Sequence, residues 1–395
     1  MLKTTGTLPG VVKLCTKIGD INFFRRPYSL RWNTELGQFA NHKQRVNYPL
    51  YGMISVFFLQ SLNFLVNQGS MKVIQKALFC RVLLPYVVFS TATLWIQHKH
   101  GEAFAQILNQ ILALEKKWLK MEDSKFWKDE AATSGKTVRK LLSVAEYFRK
   151  FSIGMGTMSA AMSPHLPFNP VSIFTPIWIH SEITFIAYFG RLVAGILGGL
   201  FWYTSAHALF FGYLLVFIVP LFGVRCLLDV FRSRIRTLDR RSSTRLSQLL
   251  TTYKEIQLVL SEYNSVHKLF FVGTQTVTLM LANISTAFAL VTQLENMTPS
   301  AFGSVLEGFI ASFLLIMVGM RFAANVNTES RKALGETKYA FTKPKKDKLD
   351  CVRCTWKACP QLKVQFFSCN YFERLTPVRI MEICLSVTLN LVLIK

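Results

Sequence analysis

Long apolar runs alternate with charged stretches along most of the chain. Residues 48–67 and 269–293 carry no charge, 78–97 carries only Arg81, 192–222 is uncharged, and 302–320 carries only Glu307. A bilayer crossing needs about 20 mostly apolar residues, so these five runs predict membrane-spanning helices. Residues 141–163 predict a sixth, with Glu146, Arg149 and Lys150 in the first half, where long side chains snorkel to the interface. Residues 380–394 predict a seventh that is short and contains Glu382, which suits a helix packed inside a bundle.

Two stretches between the runs have helical periodicity instead. Leu246, Leu249, Leu250, Tyr253, Ile256, Leu260 and Tyr263 repeat at about 3.6 residues, predicting a helix over 246–271 that runs into the fifth span. Phe104, Ile107, Leu108, Ile111, Leu112 and Leu114 predict a second amphipathic helix over 103–119. Such helices would pack on each other below the membrane and form an oligomerisation layer, or remain solvated extensions with one apolar face.

Charge orients these elements. The 46 Lys and Arg give a formal charge of +24, but they are unevenly placed. Segments 98–140 and 223–268 each contain nine, and 324–377 contains eleven. The intervening segment 68–77 has only Lys72 and Lys76, and 164–190 and 294–301 have none. The positive-inside rule then places the N-terminus and every basic segment in the cytosol and the C-terminus outside. An eighth helix over 171–189 would put nine basic residues outside and is rejected; the same run could replace 141–163 as third span without changing the orientation. Otherwise 164–190 is an outer loop folded against the bundle. The expected layout is an all-α membrane protein of seven helices: a cytosolic segment 1–47, spans one to six with their helical extensions over 48–323, a cytosolic loop 324–379, and a last helix 380–395.

Composition narrows the function by exclusion. The basic residues lie between membrane runs, so they report topology and no nucleic-acid partner is expected. No P-loop, H-E-x-x-H or G-x-S-x-G is present, and the sequence offers no catalytic set. The first 46 residues lack an apolar stretch of signal-peptide type. Cys351, Cys354, Cys359 and Cys369 are irregularly spaced for zinc, and no metal or other cofactor is expected. Asn296-Met297-Thr298 is a glycosylation sequon on the expected outer side. Arg81 and Glu307 each fall about a turn below the outer surface, where they border a ligand pocket or snorkel independently. His207, with Trp202 and Tyr203 beside it, marks a mid-membrane cavity or a hydrogen-bonded bundle position.

The orientation, the length and the short final span resemble the arthropod gustatory and odorant receptor superfamily. Residues 253–271 (YKEIQLVLSEYNSVHKLFF) are similar to the helix these receptors carry before their fifth span, and 359–395 are similar in pattern to their C-terminal region. Their last span carries Thr-Tyr, five hydrophobic residues and Gln-Phe. Thr388 matches, whereas Leu389 stands for the Tyr, Asn390 interrupts the hydrophobic run and Lys395 stands for the Gln. The resemblance implies a plasma-membrane, ligand-gated, non-selective cation channel, a homo- or hetero-tetramer whose last helices surround the pore. It also implies a small-molecule tastant or odorant bound in the outer half of the bundle. By the motif, Thr388, Val392 and Lys395 line the pore. Glu382, Ser386 and Asn390, spaced i, i+4, i+8, form a second, polar face nearly opposite. That face either lines the pore or packs on neighbouring helices. A non-conducting scaffold of the same fold is the alternative reading.

Overall fold

The computed structural model describes residues 30–33, 38–41, 99–117, 184–211, 216–237, 243–267, 272–297, 299–340, 350–367 and 370–394, with isolated positions between 52 and 95 and between 143 and 158. The expected spans 48–67, 78–97 and 141–163 lie largely outside the described residues; the described positions within them, such as 52, 55, 88 and 147, are helical.

In chain order the described elements begin with an antiparallel hairpin of β1 (Leu30–Asn33) and β2 (Gln38–Asn41). Helices follow: α1 (99–117), α2 (Thr184–Phe211), α3 (Val219–Thr237), α4 (Ser243–His267) and α5 (Thr274–Gln293). A 3-10 turn (Leu294–Asn296) leads to α6 (Pro299–Leu314), which continues through a π-helical turn (Leu315–Gly319) into α7 (Met320–Ala340). The chain ends with α8 (Asp350–Lys357), a short antiparallel pair β3 (Gln365–Phe366) and β4 (Asn370–Tyr371), and α9 (Thr376–Ile394). Among the described residues, three helices are long and apolar enough to cross a membrane: Thr274–Gln293, the α6–α7 stretch Val305–Lys338, and Thr376–Ile394. At about 1.5 Å per residue, the 20 residues of α5 cover about 30 Å, one hydrocarbon core.

The periodic helices form where their patterns place them. On α1, Phe104, Ile107, Leu108, Ile111 and Leu112 are buried, and on α4, Leu250, Tyr253, Ile256, Leu260 and Tyr263 are buried. The two helices join at their polar edges: Lys117 Nζ lies 2.9 Å from Glu255 Oε1, and Gln110 Nε2 donates to Glu262 over 3.1 Å. The helices expected from periodicity thus pack on each other.

Three elements differ from the sequence expectation. Residues 184–190, expected in an outer loop, are the first turns of α2, whose Arg191 is exposed and tolerated for that reason. The expected loop 324–379 begins as helix: α7 runs to Ala340 because Ala323, Ala324, Val326, Asn327, Ser330, Ala333 and Thr337 keep one face buried beyond the apolar run. Within 30–41, part of the segment expected to precede the bundle, the β1–β2 hairpin is fastened to α1 by one side chain. Asn109 Oδ1 accepts from Phe39 N–H over 2.7 Å, and Asn109 Nδ2 donates to the Phe39 carbonyl over 2.8 Å.

Helix α7 packs along α3 and carries a charged clamp. Arg232 pairs with Glu329 and, at 2.6 Å, with Glu336; Arg236 also reaches Glu336 at 2.7 Å. Lys332 completes the set on Glu329 at 2.8 Å.

Candidate functional site

The last helix and the segment that delivers it form the site. Residues 359–367 cross α4 and α7 before α9 begins, and three side chains hold them there. Asn264 on α4 reads backbone on both sides of Val364: its Nδ2 donates to the Lys363 carbonyl over 2.9 Å, and its Oδ1 accepts from Gln365 N–H over 3.0 Å. The Tyr253 hydroxyl donates to the Pro360 carbonyl over 2.9 Å and lies 2.8 Å from Ser330 Oγ on α7. Ser330 Oγ in turn accepts from Leu362 N–H over 2.7 Å. Phe372 is fully buried against Phe366, with ring centroids 4.6 Å apart, and its N–H donates to the Val364 carbonyl.

The β3–β4 pair then touches the start of α5. Phe367, with φ 55, lays its ring so close to Gly273 that a Cβ there would stand 2.6 Å from Cε1. Helix α9 therefore starts beside the beginning of α5 and runs alongside it in the same direction. Thr376 closes its first turn: Glu373 N–H donates to Thr376 Oγ1 over 2.8 Å, and Pro377 follows where a missing N–H is harmless.

One stripe of α9 faces the protein. Pro377, Ile380, Cys384 and Thr388 are buried, and Cys384 Sγ sits 4.0 Å from the Met280 carbonyl of α5. Thr388 satisfies its hydroxyl inside the helix, donating to the Cys384 carbonyl over 2.8 Å. The motif position Thr388 is thus packed within its own chain, Val392 one turn on is half-buried, and Lys395 lies outside the described residues.

Glu382, Ser386 and Asn390 are exposed. They are offset by two residues from Ile380, Cys384 and Thr388, about 200° around the helix, so they point away from α5. On either flank of this polar face lie exposed apolar positions, Leu385 and Leu389 on one side and Ile383 and Val387 on the other.

The expected ligand-pocket residues are not assembled by the described side chains. Arg81 lies outside the described residues. Trp202, Tyr203 and His207 belong to α2, but their side chains are not among those described. Glu307 is half-buried on α6. Helices α5 and α6 are joined by Asn283 Nδ2 donating to Ser312 Oγ over 3.1 Å, a buried polar link of the kind that holds membrane helices together. Asn296 ends the 3-10 turn at the far end of α5 from Asn264. In the sequence Tyr253 lies on the helical pattern of α4 and Asn264 within the same expected helix, 246–271, and neither shows a task. Their partners lie about 100 residues away along the chain, beyond what periodicity reads.

The architecture has a solved counterpart. The chain superimposes on the insect olfactory receptor OR5 from Machilis hrabei with a TM-score of 0.73, over 98% of this chain and 100% of that one, at 13% identity. The fold is that of the insect olfactory receptors. A second structure of the same receptor, in complex with eugenol, matches with the same TM-score and identity over 98% of each chain. No family model matches the sequence, and no curated protein matches it. The resemblance read from the two C-terminal stretches thus holds at the level of the insect olfactory receptor fold, although the last-helix motif is largely absent from this sequence.

Proposed function

We propose that this chain is a chemosensory receptor of gustatory type, working as one subunit of a tetrameric, ligand-gated, non-selective cation channel in the plasma membrane. It crosses the membrane seven times, with its N-terminus in the cytosol and its C-terminus outside. The observation that carries the reading is α9, a helix able to span a bilayer with a polar face exposed directly opposite its packed face. A polar stripe on a membrane helix is stable only against water or other polar groups. Four copies with α5 outside α9 would turn Glu382, Ser386 and Asn390 toward a common axis. On this reading the polar face, rather than Thr388 and Val392, lines the path, and Glu382 provides its acidic ring.

The ligand is a small organic molecule bound in the outer half of the bundle, near Arg81, Trp202, Tyr203, His207 and Glu307. The neighbouring receptor in complex with eugenol supports that class of ligand. Binding favours the state in which the last helices stand apart.

The test is electrical. The chain is expressed alone, its surface delivery is verified with a C-terminal epitope on intact cells, and currents are recorded against a panel of tastants and odorants. The expected result is a ligand-evoked cation current whose permeability ratios shift in Glu382→Gln and are less affected in Lys395→Gln. Surface delivery without any current in any variant sinks the homomeric channel and leaves the second reading, a non-conducting assembly partner. That alternative is favoured by the departures Leu389, Asn390 and Lys395 from the last-helix motif.

A further inference from the structure

The first turns of α9 carry a cation and an anion that pair with none of the described residues. Arg379 and Glu382 are three residues apart, both are exposed, and both lie on the side of α9 turned away from α5. Among the described residues neither takes part in an ion pair, whereas Arg232, Arg236, Lys332 and Lys117 each find a carboxylate within the chain. Arg379 also sits in the first turn of its helix, where the backbone dipole is positive and a cation is disfavoured. The order Arg then Glu along a helix is the weaker one for pairing within it. An exposed pair of opposite charges in this position is complementary to a second copy of itself, and the apolar residues Leu385, Leu389, Ile383 and Val387 beside it leave room for that copy to approach.

We propose that Arg379 of each subunit pairs with Glu382 of the next, closing a collar of four inter-subunit ion pairs around the inner end of the last helices. The proposal rests on the reading that four copies surround an axis with α9 innermost. The two charges stand about 4.5 Å apart along the helix axis, so a guanidinium fork reaches sideways to the neighbouring carboxylate. The contact repeats head to tail and closes by rotation. Pairing also draws the four arginines to the subunit seams, so that the Glu382 oxygens left facing the axis still give the path its acidic ring.

The experiment is a charge swap in the full-length chain, with tetramer fraction measured by mass in mild detergent and current measured in parallel. Arg379→Glu and Glu382→Arg alone each place eight like charges at the collar, and each should lower the tetramer fraction by roughly tenfold. The double variant Arg379→Glu/Glu382→Arg should restore it to near the wild-type level. Both positions are exposed, so the single subunit keeps its fold. In a second measurement, Arg379→Cys/Glu382→Cys should give a ladder of covalent oligomers up to four chains under a mild copper oxidant. A wild-type tetramer indifferent to both single changes, a swap that fails to restore assembly, or a cysteine variant that stays monomeric each overturns the collar alone. A wild-type chain that runs as a monomer overturns the tetramer reading and the collar together.

Discussion

The Tyr253 hydroxyl lies 2.8 Å from Ser330 Oγ, and proton counting sets the direction of every bond around them. Leu362 N–H must donate to Ser330 Oγ, and the Pro360 carbonyl must accept from Tyr253, so the serine proton is the one shared with the tyrosine oxygen. The result is one unbroken chain from Leu362 through Ser330 and Tyr253 to Pro360. Ser330→Ala strands the buried Leu362 N–H and should lower stability by about 2 kcal/mol. Tyr253→Phe leaves the carbonyl of the exposed Pro360 to water but strands the proton of the buried Ser330 hydroxyl, and should cost about 1–2 kcal/mol. Because both belong to one chain, the double variant should lose less than the sum, a deficit measurable by thermal unfolding in detergent.

Asn264 is sensitive to chemistry as well as to size. Asn264→Asp keeps the acceptor for Gln365 N–H but replaces the donor to the Lys363 carbonyl with a carboxylate oxygen. Asn264→Asp should therefore be at least as harmful as Asn264→Ala, at about 1–3 kcal/mol. An aspartate variant as stable as the wild type would show that the Lys363 bond contributes nothing.

At Gly273 the sign of a substitution depends on a partner. Gly273 has a helical φ of −65, so alanine is conformationally welcome and gains about 1 kcal/mol of backbone entropy. The Phe367 ring, 2.6 Å from the new Cβ, opposes that gain with an overpacking penalty of about 1–3 kcal/mol. Gly273→Ala should be neutral to destabilising in the wild type and stabilising in a Phe367→Ala background. Four melting temperatures test this.

His267 makes the fold sensitive to acid. It is fully buried, its ring stacks on Tyr263 with centroids 4.2 Å apart, and Phe104 meets it edge-on. Its Nδ1 lies 2.8 Å from the Tyr263 carbonyl, so the neutral tautomer carries its proton there. Burial lowers its pKa from 6.5 to about 4, and nearby His100 adds to the effect. Because the folded value is depressed, the unfolded chain binds more protons as pH falls. Stability is full above pH 6.5 and declines toward pH 4 by up to about 3 kcal/mol. His267→Phe should flatten that decline between pH 7.5 and 5. His100, lowered by burial and then by Lys99, accounts for part of the remainder.

How much was legible in the sequence differs between elements. The periodicity of Tyr253, Ile256, Leu260 and Tyr263 was sufficient to read α4, because a helix buries its own stripe whatever it packs against. The last helix was legible from its apolar run, and it begins only four residues earlier than that run suggested. The tasks of Asn109 and Asn264 were not legible, because each binds backbone far away in the chain and a polar residue on a helix does not announce its partner.

By itself the sequence determined where the apolar helices lie, which segments carry the positive charge, and that α9 has two candidate faces of equal period. Which of those faces packs on α5 came only from tertiary structure. Thr388 and Glu382 recur with the same spacing as their neighbours, and nothing local separates them. The strap 359–367, held by Asn264, Tyr253 and Ser330, brings the chain to the start of α5, where α9 packs with one stripe inward. That packing buries Cys384 and Thr388 and leaves Glu382, Ser386 and Asn390 turned outward.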